Sequence, residues 1–303
     1  MTQPDHDDRD DRGVATIFLI LAMAAIFAGA GFAIDVGQYV VHARSAQNSA
    51  DATALAVATD CALTGAPIAD YSPYRKNGQT ITTPACGSGE ASITVTKDVD
   101  GLFLPSVTAG AVDRSATARW GTLTGATTLP IVIAKCEWAK FPVDATTNIT
   151  IHLPDTKKQT GCASGPGGFG QLDDDNDGNP CTVRISVPGT ASGEPGNAFR
   201  DIIPCVPLLP AKVLIPIFDD KACPAKGCQG NKLYPIVGFA VFRLTGYSFQ
   251  QGSAGSLGRN DCDKTIGKNC IRGDFIKTVT SQGTAGPLNP GVDFGVTKIY
   301  LSS

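Results

Sequence analysis

The sequence predicts an α+β fold: one long N-terminal transmembrane helix followed by a disulfide-rich, mainly β domain outside the cytoplasm. Three features lead to this prediction. Residues 14–34 carry no charge, Gly and Pro become frequent after residue 65, and all ten cysteines follow the apolar segment. We therefore divide the chain into a cytoplasmic tail (1–13), a transmembrane helix (14–34), an extended amphipathic helix (35–62) and a β-rich extracytoplasmic domain (63–303).

The excess of negative charge lies in the N-terminal tail. Residues 1–13 hold five Asp and two Arg, so the tail alone carries the formal net charge of −3 that the whole chain has. The remaining residues are balanced between acidic and basic side chains. A balanced domain gives no electrostatic reason to expect a nucleic-acid partner.

The uncharged segment has the length of a membrane span. As a helix at 1.5 Å per residue, residues 14–34 extend about 31 Å, the thickness of a bilayer's hydrocarbon core. Arg9 and Arg12 precede the segment, whereas the 20 residues after it hold a single arginine, Arg44. This difference predicts an N-terminus inside. The cysteines predict the same orientation, since disulfides persist only in oxidising compartments.

A cleaved signal peptide is the alternative for this segment. Residues 14–27 would form its apolar core, and residues 28–30 read Ala-Gly-Ala, a small-residue cleavage site. The acidic tail argues against a signal peptide. In addition, no proline occurs between Pro4 and Pro67, so the sequence gives the helix no reason to stop at residue 34.

Two stripes of residues run along this helix, one within the membrane segment and one beyond it. Within the membrane segment, small residues fall four apart on one face, a spacing that lets helix backbones approach closely in lipid; the alternative is that Ala and Gly are simply common in such segments. They are Ala25, Gly29, Ala33 and Gly37. Beyond the membrane, apolar residues recur at intervals of three and four positions and form a narrow stripe. Such a stripe suits packing on a partner helix or on the protein's own sheet. It comprises Val36, Tyr39, Val40, Ala43, Ala46, Ala50, Ala54 and Val57.

The first sixty residues resemble the N-terminal module of Flp pilus assembly proteins of the TadG type. The resemblance rests on Arg12 and Gly13 before the apolar segment, on the Asp35-Val36-Gly37 motif at its outer end, and on "QNSADATALA" at 47–56. It covers residues 10–60 and implies a membrane-anchored structural component of the bacterial tight-adherence (Tad) pilus machinery. The implied partners are other pilus assembly membrane proteins, contacted through the N-terminal helix, and the lipid bilayer.

The chain departs from related families at two points. Prepilins are cut after a Gly and carry Glu at the fifth position of the mature chain, whereas that position after Gly13 is Phe18. This departure fits TadG-type proteins better than true pilins. Longer members carry a von Willebrand A domain with a D-x-S-x-S metal motif, which is absent from this sequence.

From residue 65 onward, short apolar runs bounded by turn residues predict strands. The runs are 91–95, 115–120, 130–134, 148–152, 182–187, 212–218, 234–247, 275–279 and 294–301. The proline inside "KVLIPIF" (212–218) predicts an edge strand or a bulge. Residues 196–203 predict one short helix.

The sharpest motif of this region is "DDDNDGNPC" at 173–181. Asp173, Asp175 and Asp177 alternate before a Gly, and with Asn179 they are candidate calcium ligands, because Ca²⁺ prefers several hard oxygens around a tight turn. The motif resembles the calcium loop of Excalibur-type domains but lacks the acidic residue after the Cys. Loop position 12, which is Glu in an EF-hand, is Arg184. The alternative is a solvated acidic turn between disulfides.

The cysteines predict disulfides rather than zinc, since no C-x2-C pair with a matching His is present. Sequence proximity suggests Cys162 with Cys181, Cys262 with Cys270, and Cys61 with Cys86. Either Cys223 or Cys228 is expected to meet Cys205. These pairings are hypotheses, because a sequence does not determine connectivity.

An enzyme is not the prediction, because no nucleophile elbow, H-E-x-x-H motif or phosphate loop is present. His152 is the one His of the β-rich region, so a hydrolase would depend on it. Three functions therefore remain to compare: a TadG-type structural component, a calcium-dependent anchored or secreted adhesin, and an extracytoplasmic hydrolase.

Overall fold

The structure is a computed structural model that describes residues 10–103, 110–153, 169–172, 179–193, 205, 208–222, 233–250, 256–257, 269–286 and 293–302. It contains one long helix and two β-sheets. The helix, α1, runs without interruption over Asp10–Thr64. Its 55 residues correspond to about 82 Å along the axis.

The helix ends at a glycine cap. Gly65 has φ +79°, the left-handed conformation that glycine adopts at little cost. Its N–H donates to the carbonyl of Cys61 at 3.0 Å, which satisfies one of the last carbonyls of the helix. Because α1 contains no proline, the helix continues past residue 34, as the sequence predicted. It ends at Thr64, two residues beyond the predicted limit of 62.

The strands follow α1 in chain order. They are β1 (Gln79–Ile81), β2 (Glu90–Val99), β3 (Gly110–Thr128), β4 (Ile131–Ala134), β5 (Ile149–Leu153), β6 (Phe169–Gln171), β7 (Val183–Ser186), β8 (Gly189–Ser192), β9 (Ala211–Phe218), β10 (Leu233–Gln250), β11 (Ser256–Leu257), β12 (Asn269–Ile276), β13 (Thr278–Thr280), β14 (Thr284–Ala285) and β15 (Val296–Ser302). A four-residue helix, α2 (Lys135–Trp138), follows β4. The fold is therefore α+β, as predicted.

The first sheet has the order β1-β2-β3-β15-β13, and β7 and β14 also pair with β3. All its pairs are antiparallel except β13 with β15. The second sheet has the order β5-β12-β10-β9-β4-β6, with β8 and β11 paired to β10. There, β4 and β9 are parallel.

The outer half of α1 packs on the first sheet. Small side chains of α1 face β2, β3 and β15, and they form one buried cluster with residues of the sheet. The helix members are Ala46, Ala50, Ala54, Val57, Ala58 and Cys61, and the strand members include Ile93, Val95, Ala118 and Ile299. Small residues at this spacing allow the helix axis to lie close to the sheet. The amphipathic stripe was predicted to pack on a partner helix or on the protein's own sheet. In the structure it packs on the protein's own sheet.

The first three members of that predicted stripe do not pack. Val36, Tyr39 and Val40 are exposed. Burial against the strands begins at Ala43, which contacts Val99 at the end of β2 and Val112 near the start of β3. Among the described residues, the part of the stripe that packs on strands is thus shorter than predicted and begins at Ala43.

The second sheet carries the larger core. Isoleucines and phenylalanines from β4, β5, β9, β10 and β12 form its main cluster. Within it, the rings of Phe242 and Phe275 are in edge-to-face contact, with centroids 5.1 Å apart. A second cluster lies among β3, β4, β7, β9 and β10 and joins the two sheets. The two sheets therefore share buried apolar side chains.

Each predicted run overlaps an observed strand, although four of the nine runs (130–134, 148–152, 182–187 and 294–301) begin or end one or two residues outside it. Two further runs differ in other ways. The run 275–279 is divided, because β12 ends at Ile276 and β13 begins at Thr278. The run with Pro216 forms β9, which is not an edge strand, since it lies between β10 and β4. Pro216 is tolerated there because β4 pairs only with Ile217 and Phe218, after the proline. The alternative prediction, a bulge, agrees with the register shift of the paired β10 between Ile236 and Gly238. Residues 196–203, the predicted short helix, lie outside the described residues.

Two disulfides join described cysteines. Cys61 is bonded to Cys86, as predicted. Cys181 is bonded to Cys205, so the predicted pairs Cys162 with Cys181 and Cys205 with Cys223 or Cys228 are wrong. Sequence proximity misled here because the fold brings the end of the acidic loop beside the segment that precedes β9. Cys136 and Cys270 are also disulfide-bonded; Cys162, Cys223, Cys228 and Cys262 lie outside the described residues.

Candidate functional site

The most distinctive polar contact of the helix is made by Asp35, at the outer end of the apolar segment. Its side chain is buried, with 1% of its surface exposed. Its carboxylate accepts the backbone N–H of Leu102 at 2.9 Å and that of Phe103 at 3.1 and 3.2 Å to its two oxygens. Charged acceptors make the stronger class of hydrogen bond in proteins. Asp35 therefore ties the turn after β2 to the helix.

Apolar contacts on both sides of Asp35 support this attachment. One turn toward the N-terminus, Gly31 is buried against Phe103, and a Cβ added to Gly31 would lie 3.1 Å from the Cβ of Phe103. Two turns toward the C-terminus, Ala43 packs with Val99 and Val112. The hairpin of β2 and β3 thus contacts α1 at three successive levels, and Gly31 supplies the space for the aromatic ring.

Asp35 belongs to a motif that is recognisable in the sequence, whereas Gly31, Leu102 and Phe103 were not predicted to take part in this attachment. A local signal existed in the chain: "GLFLP" (101–105) is an apolar run that follows the polar residues Lys97, Asp98 and Asp100. Its docking on α1 had no local signal, since the contact spans 67 residues of sequence.

The predicted helix-packing residues Ala25, Gly29, Ala33 and Gly37 are all exposed. A Cβ added to Gly29 or Gly37 would meet nothing within 4 Å. Gly37 and Asp35 are two residues apart, which places them about 160° from each other around the helix, and the same holds for Ala33 and Gly31. Near the membrane boundary, the small stripe therefore faces away from the side of α1 that the domain occupies.

The other end of α1 is fixed to the domain by covalent and polar contacts. The Cys61–Cys86 disulfide joins the last turn of the helix to the segment before β2. The Lys277 ammonium donates to the carbonyl of Leu63 at 2.7 Å, a favourable place for a cation because the C-terminal end of a helix carries partial negative charge. The outer half of α1 is therefore anchored at both of its ends.

Of the four candidate calcium ligands, Asn179 lies within the described residues. Asp173, Asp175 and Asp177 lie outside the described residues. The Asn179 amide oxygen accepts the N–H of Cys181 at 3.1 Å, within a turn closed by the Thr182 N–H on the Asn179 carbonyl. No group of three or more His, Cys, Asp or Glu that could hold a metal occurs among the described residues. The calcium site stays a prediction.

A buried carboxylate connects two strands of the second sheet. The Asp274 carboxylate on β12 is buried, pairs with the Arg243 guanidinium of β10 and accepts the N–H of Asn148. This contact holds the turn before β5, where Asn148 adopts φ +50°. His152 on β5 lies opposite Cys270 on β12. The contacts of Asp274 thus link β12 to β10 and to the turn before β5, and His152 lies within the β5–β12 pair.

The helix is also the element with membrane-spanning character. Within the described residues, the structure has one helix that is long and apolar enough to cross a membrane. Apolar side chains of its N-terminal half are exposed all round, including Ile17, Phe18, Ile26 and Phe27. A helix that is apolar on every face and uncovered by protein is a candidate membrane anchor.

Comparison with known proteins bears on this helix alone. No curated protein and no solved structure matches the chain. Residues 13–60 match the family model described as "Putative Flp pilus-assembly TadE/G-like". The matched segment contains Gly31, Asp35 and Ala43, so it covers the helix side of the contact with the hairpin. The match supports a protein associated with Flp/Tad pili, and the N-terminal module of this chain is TadE/G-like, as its sequence predicted.

Proposed function

We propose that this chain is a membrane-anchored structural component of Flp/Tad pilus assembly, of the TadG type. In this proposal the tail lies in the cytoplasm, α1 crosses the bacterial cell membrane once, and the β domain lies outside the cytoplasm. The observation that carries the proposal is the division of α1. Its inner half is apolar and uncovered, whereas its outer half is buried on the first sheet.

The division of α1 suits a structural role. Because one continuous helix carries both the membrane segment and part of the domain core, a force or a rotation applied to the membrane segment reaches the sheet without an intervening linker. The Cys61–Cys86 disulfide and the Asp35 contact prevent the helix from separating from the domain. A component that must hold a position beside other membrane proteins requires this stiffness.

The proposed partner surface is the small stripe of Ala25, Gly29, Ala33 and Gly37. These residues are exposed, and Ala33 and Gly37 lie on the side of α1 opposite the contact with the hairpin. A second transmembrane helix could therefore approach without meeting this protein's own domain. Small residues four apart allow the close backbone contact on which helix association in lipid depends.

The experiment compares three leucine substitutions in the full chain. Ala33→Leu and Gly29→Leu add bulk to the stripe, whereas Ala24→Leu adds the same bulk about 180° from Ala33. All three positions are exposed. We expect the stripe variants to lose co-purification with other pilus assembly membrane proteins at least tenfold, which corresponds to about 1.4 kcal/mol. We expect Ala24→Leu to retain it.

Membrane insertion must be equal among the variants, as measured by extraction with carbonate. If Ala33→Leu and Gly29→Leu associate as well as Ala24→Leu, the stripe is not the partner surface. If none of the chains, including the parent, co-purifies with pilus assembly proteins, the proposed function itself is wrong.

A further inference from the structure

Two exposed apolar side chains of the domain lie beside the last turns of the membrane segment. Leu102 and Phe103 are 66% and 54% exposed, although they belong to the β domain and not to the helix. Phe103 rests on Gly31, which precedes the end of the uncharged segment at Ile34 by three residues. That distance is about 4.5 Å along the helix axis. If residues 14–34 span the bilayer, the Phe103 ring lies at the depth of its outer boundary.

The backbone N–H groups of this turn have partners within the protein, as a position near the bilayer requires. Near hydrocarbon, each backbone N–H needs a partner within the protein, because water is scarce. The N–H groups of Leu102 and Phe103 both donate to the buried Asp35 carboxylate. The side chains can therefore enter an apolar medium while their amide groups remain paired.

The position of the turn is fixed by the body of the domain. Val99 and Val112 are buried against Ala43 of α1 immediately behind the turn. Asp98 and Asp100 precede the turn and are exposed, and the chain has no basic residue between Lys97 and Arg114. Burial of apolar surface, and not attraction to anionic headgroups, is the force that could bring this turn to a membrane.

We propose that Leu102 and Phe103 insert into the outer interface of the bilayer and form a second membrane contact of the domain beside α1. This inference rests on the proposed function, in which α1 is the membrane anchor. Aromatic side chains favour the headgroup level of a bilayer. With the helix and the turn both in the interface, the domain has one fixed tilt and one fixed rotation relative to the membrane.

The test uses tryptophan fluorescence of the full chain reconstituted into phosphatidylcholine vesicles, with and without bromine on the acyl chains. Phe103→Trp and Leu102→Trp place the probe in the turn, and the parent chain gives the background from Trp120 and Trp138. Thr64→Trp is the control outside the bilayer, because Thr64 is exposed at the far end of α1, about 45 Å along the helix from Ile34. Phe27→Trp is the control inside the span.

We expect bromine to reduce the added emission about twofold in both turn variants, because the probe lies at the boundary of headgroups and acyl chains. Iodide in the water should quench the emission of the turn variants less than that of Thr64→Trp. Quenching of both turn variants by iodide and not by bromine would overturn the proposal, since the turn would then lie in water. Shielding from both quenchers would also overturn it, because a second copy of the chain would cover the turn.

The Phe27→Trp control separates this inference from the proposed function. If bromine quenches Phe27→Trp but neither turn variant, α1 is in the bilayer and only the insertion of the turn is wrong. If bromine does not quench Phe27→Trp, α1 does not span the membrane and both proposals fail.

Discussion

At the scale of single residues, Asp35 has the least expected environment in the chain. A carboxylate at the end of a membrane segment would be costly if it were unpaired in a medium of low polarity. Here the backbone N–H groups of Leu102 and Phe103 stabilise it, and in return the carboxylate orders the turn after β2. The "D" of the Asp35-Val36-Gly37 motif is therefore explained by a contact with the domain.

This explanation predicts a large effect for Asp35→Ala. The substitution leaves two N–H groups without their charged acceptor, and a hydrogen bond to a charged group contributes about 1.5–3 kcal/mol. We expect the free energy of unfolding in detergent micelles to fall by about 3 kcal/mol, measured by urea titration. Asp51→Ala is the matched control on the same helix, because the Asp51 carboxylate is half-buried and accepts only from the Gln47 amide at 2.8 Å.

We expect Asp51→Ala to cost less than about 0.5 kcal/mol, as is usual for a substitution near the surface. Equal losses in the two variants would show that Asp35 does not hold the turn.

A second residue-scale prediction concerns Tyr234, whose ring packs edge-to-face on Phe218 with centroids 5.0 Å apart. Burial raises the pKa of Tyr234 to about 12, above the value of about 10 in an unfolded chain. The folded state thus favours the neutral phenol. Its contribution to stability is complete below pH 10 and is lost as the pH rises from 10 to 12, by about 2–3 kcal/mol.

Tyr234→Phe should remove this alkaline loss, because Phe has no group to ionise. Urea unfolding between pH 9 and about 11.5 measures it. Tyr300→Phe, which removes a hydroxyl from a half-buried tyrosine of β15, should retain the loss. A steep alkaline loss that persists unchanged in Tyr234→Phe would contradict the assignment.

At the scale of elements, the helix and its disulfide act as a unit. The Cys61–Cys86 and Cys181–Cys205 bonds close loops of almost equal length, with sequence separations of 25 and 24. The chain-entropy relation gives each a contribution of about 3–4 kcal/mol. The two bonds nevertheless differ in what they join, since only the first links α1 to the first sheet.

We therefore predict similar losses of stability but different patterns of proteolysis. Replacing Cys61 and Cys86 together by Ala should speed limited trypsin digestion at Arg75 and Lys76, which are exposed within the loop that this disulfide closes, as seen by mass spectrometry. Replacing Cys181 and Cys205 should leave those sites as resistant as in the parent chain. If both double variants are cut there at the same rate, the first disulfide does not hold the helix end.

The elements themselves were largely predictable from the sequence, whereas their partners were not. The absence of proline and the small-residue period predicted α1, and turn residues bounded the apolar runs that became strands. Pairing joins remote positions, such as Trp120 with Ile299, and leaves no local pattern. The two parallel pairs and the interior position of the strand with Pro216 depend on that remote pairing as well.

For the candidate site as well, residues on the helix were predictable from the sequence, whereas their contacts with the domain were not. The sequence predicted Asp35 and the small stripe, because both lie on one periodic element. It missed Phe103 and Gly31, because their contact depends on how the hairpin of β2 and β3 folds back on α1. The Cys181–Cys205 bond was missed for the same reason, since the nearest cysteine in sequence is not the nearest in the fold.

At the scale of the whole molecule, the structure has a candidate membrane segment at one end of α1 and disulfide-bonded cysteines in the domain. Every described cysteine is in a disulfide. Such bonds persist in an oxidising compartment and not in the cytoplasm. The proposed orientation, with the tail inside and the domain outside, therefore makes a prediction about redox state as well as about topology.

In cells that express the full chain, we expect alkaline phosphatase fused after Ser303 to be active, because that enzyme requires the oxidising side of the membrane. We also expect Cys61 and Cys86 to resist alkylation unless a reductant is added first. Replacing Arg9 and Arg12 by Glu reverses the charge that favours an inside N-terminus and should lower phosphatase activity and raise alkylation together. Arg44→Glu, beyond the segment, is the matched control and should change neither. An inactive fusion with freely alkylated cysteines in the parent chain would place the domain in the cytoplasm and contradict the proposed orientation.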